Sequence, residues 1–558
     1  MATRFPRRDR APVHRYGFDV DLDISDDNDI DENEIESSND ESDSESNNSD
    51  TDDDTISGDG WRFVQCGSDV LPQRPIRDQI EGWQAVTDLN TAEQYIDEFL
   101  PPELFESLAK WTNSRALQDE AQHFLDGDDS FTWKEVDTEC MRKFIALTLL
   151  MGLIKKSTIK SYWSTEPMLE TPYFRACMSR ERYTSILRYI RFSDPYSVVN
   201  SEKQTRLQDF LRLMKQICDK YKPDELLCID ESLILFKGRI HFKMFIRTKR
   251  SRFGIKIFLL TDSNGYLVDV IVYFGSQTSI PCTEQNVDAL SKSELIVVSL
   301  LSRSNLLDKG YTITVDNWYC SVRLTEFLLT RNTFLRGTCR MNRGIPEELV
   351  KKKLTPISSA FMRKGQILAM KFMDKKEVYL LSSVDCAETI EKQRKLSGGN
   401  VKQYEKPTAI EQYNTHMGGI DKTDQLISYY SCMRKTHAWF KKLGFNFVQR
   451  LLINAFILYC REKEKVSFFD FTKMAIVHLS GVASQPRRSG HFQRAGVQPL
   501  PMSANHFPEL IQARGNRANP QLRCKKCALN NIRKDTRYQC SGCTTALCIE
   551  CFKEWHQT

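Results

Sequence analysis

A chain of 558 residues exceeds what one hydrophobic core ordinarily organises, so several domains are expected. The formal net charge of +4 hides a division: residues 1–60 hold 20 acidic and 5 basic residues, a net of −15, which leaves +19 on 61–558. A basic body suits a polyanion such as DNA or RNA, and no run approaches the roughly 18–20 apolar residues that span a bilayer, so a membrane protein is not expected.

Residues 1–84 read as a disordered acidic region. The stretch DVDLDISDDNDIDENEIESSNDESDSESNNSDTDDD contains neither Lys nor Arg, and it has too little apolar surface to offset chain entropy. It is either a solvated tail or one that competes with DNA for the basic body, and its serines beside acids suit phosphorylation. The opening MATRFPRRDR lacks an apolar signal segment. Residues 85–223 read as helical: PPELFESLAKWTNSRALQ opens on a Pro pair, and FIALTLLMGLI (144–154) reads as a buried helix.

The texture changes at 224, where a mixed α/β domain is expected over 224–344. LLCIDESLILF reads as a strand, and FGIKIFLLTDSNGYLVDVIVYFG as two strands around an Asn264-Gly265 turn. A helix over 292–308 and a strand over 311–316 follow. Residues 345–408 are Lys-rich, carry their own hairpin and read as an insertion. The core resumes over 409–436, and a long helical pattern runs through 418–463 into a helical segment, 437–480. A linker over 481–520 leads to a Cys-rich end, 521–558.

Three carboxylates stand out by position. Asp230 interrupts the apolar centre of the first strand, Asp316 ends the later strand, and Asp421 follows a Gly pair at a helix start, with Asp424 one turn beyond. The plainer reading makes Asp316 and Asp421 helix caps or dipole partners. Together they suit phosphodiester chemistry, in which two hard cations about 3.5–4 Å apart assist the attacking and leaving oxygens. Such ions take carboxylate and water oxygens and keep positions open for phosphate.

The motifs CIDESLILFKGR, RFGIKIFLL, ITVDNWYCS, GTCRMNRGIP, YNTHMGGIDKTDQ and SCMRKTHAWFKK, in order from about residue 85 onward, closely resemble the piggyBac transposase family. The resemblance implies an RNase H-like catalytic core with an inserted β-rich domain and flanking helical domains for dimerisation and DNA binding. By matching motifs it puts the catalytic triad on Asp230, Asp316 and Asp421, with Mg²⁺ or Mn²⁺ as cofactor and Asp424 as a further acidic residue. The implied activity is cut-and-paste transposition. Water activated on Mg²⁺ cuts one strand at the element end, the freed 3′-hydroxyl forms a hairpin, and the reopened end joins a TTAA target. Double-stranded DNA bearing the terminal repeats, a homodimer and a nuclear location are the corresponding expectations, with no nucleotide cofactor. The rival reading is a host-recruited DNA-binding or chromatin protein that retains the fold without transposing. Candidate nuclear import fragments are KKC and RRSG.

Basic side chains cluster after the first Asp: Lys237, Arg239, Lys243, Arg247, Lys249, Arg250 and Arg252. Beside an active-site strand, phosphate contact outweighs the alternative of a solvated hairpin. Asn317, Arg434, Lys435 and Trp439 are further DNA-contact candidates, the last three through the family's RKT..W pattern. Trp439 by spacing alone is more often a core residue than a DNA stacker, and it is the family pattern that raises the DNA-contact reading.

Eleven of the 17 cysteines scatter from Cys66 to Cys460, which suits reduced thiols in an intracellular protein, and six crowd the last 35 residues. There, Cys524-x2-Cys527, Cys540-x2-Cys543, Cys548-x2-Cys551 and His556 form a strong zinc pattern. A cross-brace is expected, with the first and third pairs at one Zn²⁺ and the second pair with His556 at another. Seven ligands leave one position unfilled, for which His491, His506, Glu550, water or a partner are candidates, so one or two zinc ions are expected. A RING- or PHD-like recognition domain is the other reading of this end.

Overall fold

The computed structural model describes residues 60–70, 88–126, 131–199, 202–246, 252–275, 278–395, 401–482, 506–512 and 520–557. The chain divides into two units, Met1–Val482 and Ala483–Thr558. The expected disorder of the acidic stretch lies outside the described residues. Residues 60–70, expected within it, instead pack. Trp61 is buried, β1 (Arg62–Phe63) pairs with a later strand, and the Asp69 carboxylate takes Arg363 Nε (2.7 Å) in a buried ion pair.

Side-chain caps set the helix starts. Thr91 and Gln94 form a capping box that opens α1 (Ala92–Phe99), and Pro102 opens α2 (Pro102–Leu125). Asp137 accepts from the Cys140 N–H (2.7 Å) to open α3 (Thr138–Leu153), which carries the 144–154 run and buries most of it. Three more helices, α4 (Pro172–Cys177), α5 (Arg180–Tyr189) and α6 (Thr205–Cys218), precede the sheet.

The next elements are β2 (Leu226–Leu235), β3 (Met244–Phe245), β4 (Phe253–Asp262), β5 (Leu267–Val272), α7 (Lys292–Arg303), β6 (Thr312–Val315), α8 (Val322–Thr330) and β7 (Phe334–Thr338). Then come α9 (Glu347–Lys351), β8 (Ser359–Lys364), β9 (Ile367–Met373) and β10 (Glu377–Ser382). One sheet runs in the order β1-β8-β9-β10-β7-β6-β2-β4, with β3 and β5 both on β4. β2 is antiparallel to β4 but parallel to β6, and β6 is parallel to β7 through the α8 crossover. The Asn264-Gly265 turn joins β4 and β5: Gly265 has φ +96°, and the buried Asp262 carboxylate accepts from the N–H groups of Asn264 (2.9 Å) and Tyr266 (2.8 Å).

Residues 345–408, expected as an insertion, supply β8–β10 to this same sheet and a separate hairpin, β11 (Thr389–Lys395) with β12 (Val401–Pro407). α10 (Thr408–His416) and α11 (Gly419–Tyr429) then lie against β2. The expected continuous helix over 418–463 is broken: α11 ends at Tyr429 and α12 (Trp439–Glu462) starts after an irregular segment. By length and composition α12 is apolar enough to cross a membrane, which sequence reading had not anticipated, yet 83% of its apolar window is buried. It packs on α1, α6, α11 and β5, while α13 (Phe468–Ser480) packs on α1 and α3, so helices distant in sequence share one core.

The second unit contains β13 (Pro508–Leu510), β14 (Leu522–Arg523), α14 (Lys525–Leu529), β15 (Asp535–Thr536), β16 (Tyr538–Cys540) and α15 (Ile549–Gln557). β13 pairs with β16, so residues expected in the linker belong to this unit. Its core is six cysteines with Leu547, Phe552 and Trp555.

Candidate active site and metal clusters

The parallel pairing of β2 with β6 sets Ile229 opposite Val315, so Asp230, in the middle of β2, and Asp316, just past the end of β6, are the next residues on neighbouring strands. Cys228, Asp230 and Ser232 share one sheet face by the two-residue period. The Cys228 thiol on that face donates to the Met417 carbonyl (3.2 Å), which ties β2 to the segment that opens α11. Asp421 falls in the first turn of that helix.

Gly419, the second of the Gly pair before Asp421, and the hairpin glycine have one physical reason. A Cβ on Gly419 would stand 2.6 Å from the Asp262 carbonyl oxygen, and one on Gly265 would stand 2.9 Å from the Gly419 oxygen. α11 therefore starts against the β4–β5 turn with no room for a side chain. That contact seats the first turn of α11, which carries Asp421, against β2 and β4.

The electrostatics record the convergence. Burial, then the charges of Asp230 and Asp421, push the Cys228 thiol far above its usual range. Burial likewise raises the Tyr413 hydroxyl, with Asp316 and Asp230 adding to the effect. Cys228 thus feels Asp230 and Asp421, and Tyr413 feels Asp316 and Asp230, although among the described residues the three carboxylates do not form a donor cluster as tight as the sulfur-rich ones.

Asp316 is not a helix cap. Ser321 opens α8 by accepting from the Leu324 N–H (2.9 Å), whereas Asp316 Oδ1 accepts from the Thr338 hydroxyl (3.2 Å). Its backbone carbonyl closes a turn with the N–H groups of Tyr319 (3.0 Å) and Cys320 (3.2 Å). Buried Glu294 holds this loop through Ser321 Oγ (2.6 Å), and Arg343 donates to the Trp318 carbonyl (3.2 Å). The Trp318 ring stacks on Phe258 at 5.6 Å, with Lys256 Nζ 4.6 Å from its centroid. Asn317 is the half-buried first residue of the turn.

Among the described residues, neither Asp316 nor Asp421 has a salt bridge, and Asp421 is exposed. Asp230 Oδ1 accepts from the Glu231 N–H (2.8 Å). Hard oxygen donors on rigid elements, with no cation among the described residues neutralising those two, fit a divalent ion such as Mg²⁺. Asp424 differs: its Oδ1 takes the buried Arg450 guanidinium at 2.6 Å.

The DNA-contact candidates divide. Lys237, Arg239, Arg252 and Lys435 are exposed, whereas Lys243 donates to the Gly238 carbonyl (3.0 Å). Arg247, Lys249 and Arg250 lie outside the described residues. Arg434 donates to the Lys156 carbonyl (2.9 Å) and lies over the Tyr162 ring, so it holds the helical region together. Trp439, expected at a DNA surface, is 6% exposed, with T-shaped contacts to Phe242 (5.2 Å) and Phe274 (5.6 Å). Its ring is core packing, because both neighbours already occupy the area a base would stack on.

In the second unit, Cys524, Cys527, Cys548 and Cys551 form one cluster, and His506, Cys540, Cys543 and His556 another, with donor atoms within 4.8 Å of one another. The eighth position falls to His506, one of the candidates the sequence offered for it, although it lay within the stretch read as linker. Cys527 Sγ lies 3.8 Å from Cys548 Sγ. That matches the edge of a tetrahedron with Zn–S bonds of about 2.3 Å. His556 sets Nδ1 against the Phe552 carbonyl (2.9 Å), which leaves Nε2 facing Cys543 at 3.5 Å. Burial opposes ionisation of Cys543, but hydrogen bonding with Thr545 and His556 brings its thiol down to about 6.

A family model described as Transposase IS4 matches residues 91–456, well over half the chain. The human PiggyBac transposable element-derived protein 3 is 23% identical over 483 residues, covering 84% of this chain and 77% of its own length. The human chimeric ERCC6-PGBD3 protein is 23% identical over the same extent, with only 43% of its length covered. Among solved structures, the cryo-EM structure of the piggyBac transposase synaptic complex with hairpin DNA matches with a TM-score of 0.59 at 24% identity, over 84% of this chain and 97% of that one. The chain belongs to this transposase family, as a piggyBac member.

Proposed function

We propose that the protein is a DNA transposase that cuts and rejoins phosphodiester bonds at Asp230, Asp316 and Asp421, in cut-and-paste transposition at TTAA sites. The observation that carries the reading is the placement of these carboxylates on two paired parallel strands, Asp230 within β2 and Asp316 just past β6, and in the first turn of the helix packed on β2. The order β5-β4-β2-β6-β7, antiparallel and then parallel, supports an RNase H-like core. A divalent cation, Mg²⁺ or Mn²⁺, would polarise the phosphate and lower the pKa of the attacking water when bound.

The chain's own residues supply geometry. Asp230 and Asp316 are fixed by strand pairing, and Thr338 orients Asp316. Exposed Lys237 and Arg239, just beyond the Asp230 strand, attract the DNA backbone and set its register. The fit of the two sulfur-rich clusters to tetrahedral coordination supports two Zn²⁺ ions. Their module binds the terminal repeats, and two copies of the chain hold two element ends in the nucleus.

A plasmid carrying the ends of the protein's own locus beside TTAA, introduced into cells with the protein, tests the reading. Seamless repair of the donor to a single TTAA is expected. Intact donors despite nuclear protein that binds those ends would favour the second reading, a retained DNA-binding protein. The names of the human relatives, derived from transposable elements, support that alternative.

A further inference from the structure

We propose that Arg450 is a positioning residue that sets the spacing between the Asp230 strand and the Asp421 helix, with Asp424 as its anchor and not a cation ligand. The inference rests on reading Asp230, Asp316 and Asp421 as a divalent-cation site.

Arg450 lies in α12 and is 2% exposed. Its Nη2 donates to Asp424 Oδ1 (2.6 Å) and Ser232 Oγ (3.1 Å), its Nη1 to Thr423 Oγ1 (3.5 Å), and its Nε to Asn446 Oδ1 (3.0 Å). Ser232 lies two residues beyond Asp230 on the same sheet face, and Asp424 lies one helical turn beyond Asp421. One planar guanidinium therefore grips the strand that carries the first carboxylate and the helix that carries the third. Neither element can slide without breaking a hydrogen bond to a buried charge.

Asp424 is Arg450's one carboxylate partner among the described residues. A cation bound by Asp424 would compete with that guanidinium for the same carboxylate and bring two positive charges within a few ångströms. Losing the carboxylate would leave a buried cation unpaired. Mg²⁺-type ions tolerate little departure from octahedral geometry, so the strand-to-helix spacing bears directly on their affinity.

The test is Mn²⁺ binding to the full zinc-loaded chain, followed by the loss of the free-ion electron paramagnetic resonance signal. The difference between the native chain and Asp316→Asn isolates the site from weak binding by the acidic region. Arg450→Met and Asp424→Asn are each expected to weaken site binding by about tenfold, in the range of substitutions that disturb ligand orientation. A ligand role or a simple charge role for Asp424 moves the pair in opposite directions, with Asp424→Asn weaker and Arg450→Met tighter, and that result would overturn the proposal. Ser232→Ala changes no charge and keeps the ion pair, so it serves if Arg450→Met fails to fold by circular dichroism. Weaker Mn²⁺ binding by Ser232→Ala is expected, and unchanged binding would refute the brace. A native chain that binds no more Mn²⁺ than Asp316→Asn would remove the cation site itself, and this inference with it.

Discussion

Trp439 shows how far a side chain's role depends on its neighbours. Its ring is enclosed by Phe242 and Phe274, so Trp439→Ala is expected to cost about 3–5 kcal/mol in urea unfolding, as for other buried aromatics. A ring that stacked on DNA would instead leave stability untouched and weaken binding alone. Spacing favoured a core residue and the family motif a DNA contact, because a motif match does not reveal what packs around it. His506 makes the opposite case. It lay in a stretch read as linker, and only the pairing of β13 with β16 carries it to Cys540, 3.2 Å from Nδ1. Native mass spectrometry should find two zinc ions in the intact chain and one in His506→Ala. Two ions retained by the variant would put the fourth ligand elsewhere. Arg450 left no signal in the sequence at all, since a basic residue in an apolar helix declares neither its burial nor its partners.

At the scale of elements, the β4–β5 turn and the start of α11 behave as one joint. Gly419→Ala forces a methyl to 2.6 Å from the Asp262 oxygen, and the overpacking should cost about 1–3 kcal/mol in chemical denaturation. A neutral result would show that α11 starts free of the turn. Within the joint, burial lifts the Asp262 carboxyl from 3.8 to about 6, opposed by the N–H bonds of Tyr266 and Asn264. The folded chain therefore binds this proton more tightly than the unfolded chain. Stability from this group is full below about pH 4 and is lost as pH rises through about 6. Asp262→Asn should remove that part of the slope when unfolding midpoints are compared from pH 4 to 7; parallel slopes would contradict it. Strands flanking Asn264-Gly265 were legible because turn chemistry is local. The division of α11 from α12 was not, because apolar periodicity continues across the break while the chain bends to close the core.

For the whole molecule, sequence carried the carboxylates and the cysteine framework further than it carried the architecture. Asp230 and Asp316 stood out because a charge at a strand centre or end is anomalous, and their adjacency then followed from one parallel strand pairing. That 345–408 would extend the same sheet, and that residues 60–70 would dock at its far edge, depended on strand pairings across hundreds of residues, which local patterns do not encode. The central claim is that three carboxylates brought together by this topology perform strand transfer on DNA. Its most direct test incubates purified protein with Mg²⁺ and duplex carrying its own locus's ends beside TTAA, next to Asp316→Asn, and resolves the products on a denaturing gel. Hairpin ends formed by the native chain and absent from the variant, with both binding the duplex equally, are the expected result. Hairpins formed equally by both proteins would contradict the assignment of the site, and binding without cleavage by either would contradict the activity.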